Sequence, residues 1–384
     1  RQMHQFLGGL HATDRVLLVG DVRQHQAVEA GRPYEQLQEA GVHTVRLDAI
    51  VRQRDPALKQ VVESLARGDV RRAVYDLDQQ GRVHEIPGQQ ARLQAMADAY
   101  LEAPTSTLVV SPDNHSRQQL NALIHHGLQR RGQVAAREQA VSVLVPRQEI
   151  TGVDRQWAGQ YDRGDVVRYT VGSRTLGLSA GEYARVVDVD ITRNRLTVAR
   201  PDGTAVEYDP RRVHGVTVYR EASRHFAVGD RVQFTAPYRD QRVANRDLGT
   251  IRAIDPDGRV QIQVDGGRML SIPTTAPQHL DYGYAVTSHS SQGQTADRIL
   301  VHVDTERIGE QLVNRRLAYV AISRGRYDAQ IYTNDKTQLG EALSRDVSHQ
   351  SALRLGGAER SHAAAPPARQ HTAEVTVARE GHGR

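Results

Sequence analysis

Ala285-Val286-Thr287-Ser288-His289-Ser290-Ser291-Gln292-Gly293-Gln294 is the stretch that decides the fold. A short apolar run stops at a turn rich in hydroxyl, imidazole, amide and bare backbone donors. A second apolar run, Ile299-Leu300-Val301-His302-Val303, follows it. Continuous apolar runs of this length read as buried parallel strands. In an open α/β sheet, ligands collect at the ends of such strands. Further on, Arg315-Arg316-Leu317-Ala318-Tyr319-Val320-Ala321-Ile322 reads as an apolar helix that finishes in Ser323-Arg324-Gly325-Arg326. A turn of that composition can aim a guanidinium at a phosphate. The strand-like run Ala329-Gln330-Ile331-Tyr332-Thr333-Asn334 comes next.

Upstream, the pattern again alternates between strand and helix. Met3, Phe6, Leu7 and Leu10 keep helical spacing from the first residues, an abrupt start of the kind expected of a fragment. Arg15-Val16-Leu17-Leu18-Val19 predicts a buried parallel strand that runs into the polar turn Gly20-Asp21-Val22-Arg23-Gln24. A helix is expected over 34–40 and a strand over 42–47, before Ile50-Val51-Arg52-Gln53. Asp55-Pro56 is a good cap and first-turn pair. It opens a helix with Leu58, Val61, Val62 and Leu65 on one face and a stop at Gly68. Two more helical stripes follow, Val70, Val74 and Leu77, then Leu93, Met96, Ala97 and Tyr100. These stripes read as core. Thr107-Leu108-Val109-Val110-Ser111 predicts another buried strand, leading through Asp113-Asn114 into a helix with Leu120, Leu123, Ile124 and Leu128. A domain boundary is expected near Ala103.

Between about Val141 and Leu280 the period changes to two, with frequent Gly and Asp. The segment repeats itself. Asp162-Arg163-Gly164-Asp165-Val166-Val167-Arg168-Tyr169 matches Ala227-Val228-Gly229-Asp230-Arg231-Val232-Gln233-Phe234, and residues 182–190 match 247–255. Four or five short strands per copy, each copy opened by Gly-Asp, resemble two SH3-like barrels inserted in an α/β domain. Beyond Gly356 the composition is Ala, Pro, His, Arg, Gly and Glu without apolar period, and a disordered tail is expected.

The 384 residues suffice for two or three domains. Net charge is +5, carried by arginine, since only Lys59 and Lys336 are lysines. Arginine forks suit phosphate and nucleic acid, although +5 is small for this length. No cysteine is present, which excludes disulfides and thiol catalysis. No apolar run approaches the length of a membrane span and the start is no signal peptide, so a cytoplasmic location without membrane contact is expected. His125, His126 and His362 lack a third partner at ligand spacing, so no metal site is expected.

Four motifs in order resemble those of superfamily 1 helicases. Val19-Gly20-Asp21-Val22-Arg23-Gln24 resembles motif III and Ile50-Val51-Arg52-Gln53 motif IV. Residues 287–293 resemble motif V, and Tyr319-Val320-Ala321-Ile322-Ser323-Arg324 motif VI. The barrel-bearing insertion between motifs IV and V resembles the RecD-like branch. Within it, residues 20–30 and 50–68 are most similar to the helicase half of TraI/TrwC-type (MobF) conjugative relaxases. The resemblance covers about residues 1–350. It implies RecA-like P-loop NTPase lobes, the first incomplete and N-terminally truncated. Residues 1–102 would hold the end of the first lobe and a helical connection; 103–140 with 281–350 would form the second. The barrels would occupy 141–215 and 216–280, and the tail 356–384.

By the same resemblance, Gly20, Gln24, Arg52, Gly293 and Arg324 bind ATP: Gln24 senses its γ-phosphate while Asp21 holds the turn, and Arg52 and Arg324 act as arginine fingers. Guanidinium groups in that role accelerate phosphoryl transfer by several orders of magnitude. Thr287, His289, Ser291 and Gln292 would contact the backbone of single-stranded DNA, with Gly293 allowing close approach, in contacts largely independent of sequence. For His289 a structural hydrogen bond remains open beside a DNA contact. Thr107, Ser111 and Asn114 are further DNA candidates. The loop with Tyr238, Arg239, Arg242, Asn245 and Arg246 either guides the strand or is a solvated loop.

The resemblance implies ATP and Mg2+ as cofactors and 5′–3′ translocation in conjugative transfer. It also implies relaxosome and type IV secretion coupling proteins as partners. The sequence departs from the family at one point: neither lysine follows a glycine, so no Gly-Lys-Ser/Thr phosphate loop is present, nor an Asp-Glu pair ahead of motif III. Family order would place both before Arg1, with a relaxase nuclease further upstream. The chain alone is expected not to hydrolyse ATP. A RecD-like recombination or repair subunit, and a non-catalytic DNA-binding or scaffold fragment, are the competing readings.

Overall fold

The computed structural model describes residues 2–11, 13–24, 33–45, 47, 49–147, 149–150, 152–238 and 241–347. The expected tail over 356–384, and Arg239, lie outside the described residues. The chain divides into two units.

The first unit comprises residues 1–20, 27–46 and 349–384. It holds α1 (Gln2–Gly8) and α2 (Pro33–Glu39), close to where apolar spacing put them. The strands expected over 15–19 and 42–47 do not form among the described residues. Leu17 and Val19 are each 87% exposed and Val45 76%. A buried parallel strand needs neighbours on both sides, and every strand of the described sheets comes from Val83 onward.

The second unit comprises residues 21–26 and 47–348. Asp55 caps α3 (Pro56–Arg67) by accepting from Leu58 N at 2.7 Å, and Gly68 ends it in the left-handed region at φ 87°. There follow α4 (Val70–Gln79), β1 (Val83–Glu85), α5 (Gln89–Glu102), β2 (Thr107–Val110) and α6 (Asn114–Arg130). An antiparallel region then interrupts the α/β order. It begins with β3 (Glu138–Pro146), β4 (Val166–Tyr169), β5 (Tyr183–Asp190), β6 (Arg195–Ala199), β7 (Ala205–Tyr208) and β8 (Val216–Ala227). It continues with β9 (Arg231–Phe234), β10 (Leu248–Ile254), β11 (Arg259–Val264), β12 (Met269–Pro273) and β13 (Leu280–Tyr282). The α/β order resumes with β14 (Ala285–Val286), β15 (Ala296–Val303), α7 (Arg315–Ile322), β16 (Gly325–Thr333) and α8 (Lys336–Ser344).

The parallel sheet has order β1-β16-β15-β2-β14. Alternation along its strands feeds two cores. Leu108, Val110, Ile299 and Val301 face α3, α4, α7 and α8, whereas Val109 and Leu300 face α5 and α6. The boundary expected at Ala103 therefore falls inside one layered body, between α5 and β2. β1 is the reason: it pairs with β16 and draws α3, α4 and α5 onto the sheet that β2 shares.

The antiparallel strands form a six-stranded sheet, β3-β8-β4-β5-β6-β7, and a five-stranded sheet, β12-β11-β10-β9-β13. The repeat seen in the sequence is realised bond for bond at one constant spacing. Gly164 (φ 93°) donates to Val186 O at 2.8 Å, and Gly229 (φ 100°) to Ile251 O at 2.9 Å. Asp165 Oδ2 accepts from Asp162 N, and Asp230 Oδ2 from Ala227 N. Both following strands bulge at the same place, after Val186 and after Ile251. The expected division at 216 needs correction. β8 pairs with β3 and β4 of the first sheet, yet Phe226 near its end is buried in the second core with Val141 and Val143 of β3. The long antiparallel β3–β8 pair thus serves both copies.

Candidate phosphate and nucleic-acid site

α7 delivers the first part of the site. Asn314 caps it, accepting from Arg316 N and Leu317 N, and Leu317, Ala318 and Ala321 pin it to the core. Ser323 and Arg324 come just before β16, so they stand at the N-terminal edge of the parallel sheet. The rule that ligands gather at strand C-termini does not describe this half of the site. Arg52 Nη1 donates to Ser323 O at 2.7 Å. Beside it, Gln53 Nε2 donates to Ser323 O at 3.0 Å and Gly325 O at 2.8 Å. Arg54 N completes the lacing by donating to Arg326 O at 2.7 Å.

Arg324 is 3% exposed and donates from Nε to Val320 O at 3.0 Å, at the helix end where the dipole favours a cation. Burial and then the charge of Arg52 pull its pKa down to about 10. Among the described residues neither Arg52 nor Arg324 forms an ion pair with a carboxylate. Two cations at one turn, one of them desolvated, call for an anion. A polyphosphate fits that donor set. No group of three His, Asp or Glu able to hold a metal occurs among the described residues.

The motif III-like turn lies in the same unit. Asp21 Oδ1 accepts from Arg23 N at 3.0 Å, and Asp21 Oδ2 from Gln24 Nε2 at 3.2 Å and Tyr319 OH at 3.4 Å. Burial, then the Asp21 carboxylate, raises the pKa of Tyr319. Gln24 Oε1 accepts from Gln292 Nε2 at 2.8 Å. The structure thus brings Asp21 and Gln24 to α7 and to the Gln292 turn, while Arg52 and Arg324 meet at Ser323. Gly20 belongs to the first unit, where its Cα faces the Tyr34 ring.

Residues 287–294 descend from the C-terminal end of β14 to the start of β15. Thr287 Oγ1 accepts from Ser290 N, and Ser291 Oγ, fully buried, donates to Ser288 O at 2.8 Å. Gly293 has φ 91°, which a side chain would strain. His289 is partly buried; burial and the nearby Arg246 guanidinium lower its pKa, which favours the neutral ring. Gln292 and Gly293 line a cleft of about 1350 Å³ between this turn and the second antiparallel copy. Thr107 lines it too, with its Oγ1 buried and lacking a hydrogen-bond partner among the described residues. Ser111 and Asn114 lie beyond the other end of β2. Ser111 is fully buried against His302 Nδ1 at 3.2 Å, and Asn114 Oδ1 accepts from Arg117 Nε.

Sequence reasoning missed two features. Gln53, which laces the Ser323 turn, is one. Arg92, fully buried, donates to Ile86 O, to Asp304 Oδ2 and to His302 Nε2, whose ring burial and Arg92 depress to about 4. A lone Arg on an apolar helix stripe is the signal that would have found it.

The AAA domain family matches residues 1–88. The multifunctional conjugation protein TraI of Escherichia coli is 25% identical over 88% of this chain and 21% of its own length. The conjugal transfer protein TraA of Agrobacterium fabrum is 23% identical over 92% of this chain and 26% of its own length. The chain therefore spans roughly a fifth to a quarter of these relatives. Among solved structures, a Pif1 helicase from a study of DNA unwinding at forked double-stranded DNA is 14% identical. It covers 77% of this chain and 50% of its own, with TM-score 0.39. Pif1 from Candida albicans gives 14%, 76%, 56% and 0.38 in the same order. No helix among the described residues is long and apolar enough to cross a membrane. The chain is thus a distant homologue of the TraI and TraA conjugation proteins over most of its length, with its AAA domain match confined to residues 1–88.

Proposed function

We propose that this chain is part of an ATP-dependent DNA helicase that translocates 5′–3′ on single-stranded DNA during conjugative transfer. The observation that carries the reading is the pair Arg52 and Arg324 at Ser323, neither of them ion-paired with a carboxylate among the described residues. Bound ATP would supply a terminal phosphoryl group, the centre of growing negative charge. Arg52 and Arg324 meet that charge, and α7 holds Arg324 rigid and partly dehydrated, where a guanidinium is worth most. Gln24 is the neutral sensor, tied to Gln292 so that the phosphate edge and the strand-binding turn share one hydrogen bond. Thr287, His289, Ser291, Gln292 and Gly293 form the strand-binding turn, with Thr107 across the cleft and Ser111 and Asn114 behind β2. The antiparallel copies are read as SH3-like barrels. Relatives named for conjugation support transfer as the setting, with relaxosome and secretion coupling proteins as partners.

The sequence has no Gly-Lys-Ser/Thr loop, so ATP and Mg2+ need an anchoring loop from outside these residues. That absence favours, as second reading, a DNA-binding fragment without hydrolysis of its own. The test uses the complete gene product. Single-strand-stimulated ATP hydrolysis is expected, with R324A and R52A each losing about 10³-fold or more in rate while strand affinity holds. Wild-type hydrolysis that neither substitution slows would remove the motor reading.

A further inference from the structure

The two antiparallel copies differ where the turn after their first strand forces a left-handed backbone. The first copy has Gly177 (φ 67°) and Gly181 (φ 86°) there; the second, at the same spacing, has Arg242 (φ 52°) and Arg246 (φ 78°). Otherwise the turns match. Ser173 bridges Leu178 as Tyr238 bridges Val243. Gly181 N donates to Tyr169 O at 2.6 Å, and Arg246 N to Phe234 O at 2.8 Å. Ser179 N and Ala244 N each donate to a carboxylate, of Glu182 and Asp247, at 2.8 Å. Glycine takes this backbone freely and other residues take it at a cost. An arginine kept there in place of glycine points to work done by its side chain.

That work is located by what Arg246 reaches. Its Nη1 donates to His289 O at 2.9 Å, within the 287–294 turn. It lines the cleft together with Ser290, Gln292, Gly293 and Thr107. Among the described residues no carboxylate pairs with it. Arg231, on the same wall, is instead held by both oxygens of Asp265. A guanidinium has five N–H donors, so one spent on a carbonyl leaves others facing the cleft. We infer that Arg246 is a phosphate contact for a single strand lying in this cleft, acquired at a position that is glycine in the duplicate copy. Arg242 stands on the same turn, whose backbone Arg268 Nη2 fixes by donating to Arg242 O at 2.8 Å.

The inference rests on the proposed binding of single-stranded DNA, and one experiment separates the two. Fluorescence anisotropy with a labelled single-stranded oligonucleotide, over a salt series, is run on the wild-type chain, R246G and R246K, with melting curves. R246G is expected to bind roughly tenfold weaker, with the slope of log affinity against log salt shallower by about 0.7. Its melting temperature is expected to hold or rise, because glycine relieves the backbone, and R246K is expected to keep most of the affinity. Unchanged affinity and slope in R246G overturn the inference while leaving strand binding standing. A drop in melting temperature shared by R246G and R246K also overturns it, marking a structural residue. A wild-type chain that binds no oligonucleotide removes the functional reading and this inference together.

Discussion

Gln53 shows how much of the site hangs on one amide. It is 7% exposed, and its Nε2 bridges Ser323 O and Gly325 O, the two carbonyls flanking Arg324. Gln53→Leu keeps the bulk and deletes the donor, leaving Gly325 O without its side-chain partner. A loss of roughly 1–3 kcal/mol in unfolding free energy is expected, measured by urea titration. An unchanged midpoint would show that water replaces the amide at no cost. Nothing local in the sequence announces this bridge, because its partners lie 270 and 272 residues away. Arg52 and Arg324 were legible for a different reason: each sits in a short motif whose order along the chain carries the resemblance. What the sequence does not show is that neither arginine forms an ion pair with a carboxylate among the described residues, which only the assembled turn displays.

Helices were the readable elements. The cap at Asp55, the proline after it and the glycine at 68 are side-chain and backbone chemistry within a few residues, and α3 follows them to the residue. The same cap gives an element-scale prediction. Asp55 Oδ1 accepts from Leu58 N and from Arg82 Nη2, so Asp55→Ala removes a cap and a cross-link to the start of β1. Stability is expected to fall by about 1–2 kcal/mol. A change under about 0.5 kcal/mol, the usual scatter of surface substitutions, would show that the helix is held by its buried face alone. Strands were less legible, since a strand exists only beside a partner. Residues 15–19 have the composition of one and no ladder. β8 shows the same limit in reverse: it lies within the period-two region, but nothing in that period tells that its far end belongs to a second core.

For the molecule as a whole, the joint between the parallel-sheet body and the second antiparallel copy is titratable. His125 of α6 is 3% exposed and lies between Asp230 of the second Gly-Asp turn, at 2.7 Å, and Glu138 of β3, at 2.9 Å. His126 and Tyr282 pack against its ring, Tyr284 OH also binds Asp230, and His225 acts on Glu138. Burial alone would lower its pKa; the bonds from Asp230 and Glu138 outweigh burial and raise it. The folded state therefore holds this proton more tightly than the unfolded chain. Its contribution to stability is complete below about pH 6.5 and disappears as pH climbs through the raised value. The first copy meets its equivalent Asp165 with Arg147, which keeps its charge across that range. Denaturation at pH 6 and pH 8.5 is expected to show a decline in wild type that His125→Gln lacks; equal declines in both would refute the tether.

β8 carries one more consequence. Duplicated units are ordinarily separable modules, each able to be lost, swapped or expressed alone. Here twelve residues, Val216–Ala227, form a wall common to both halves. Its first residues, Val216 and Val218, sit in one interior and Phe226 in the other, so a cut along them is expected to open both, and the pair to be expressible only as a single piece.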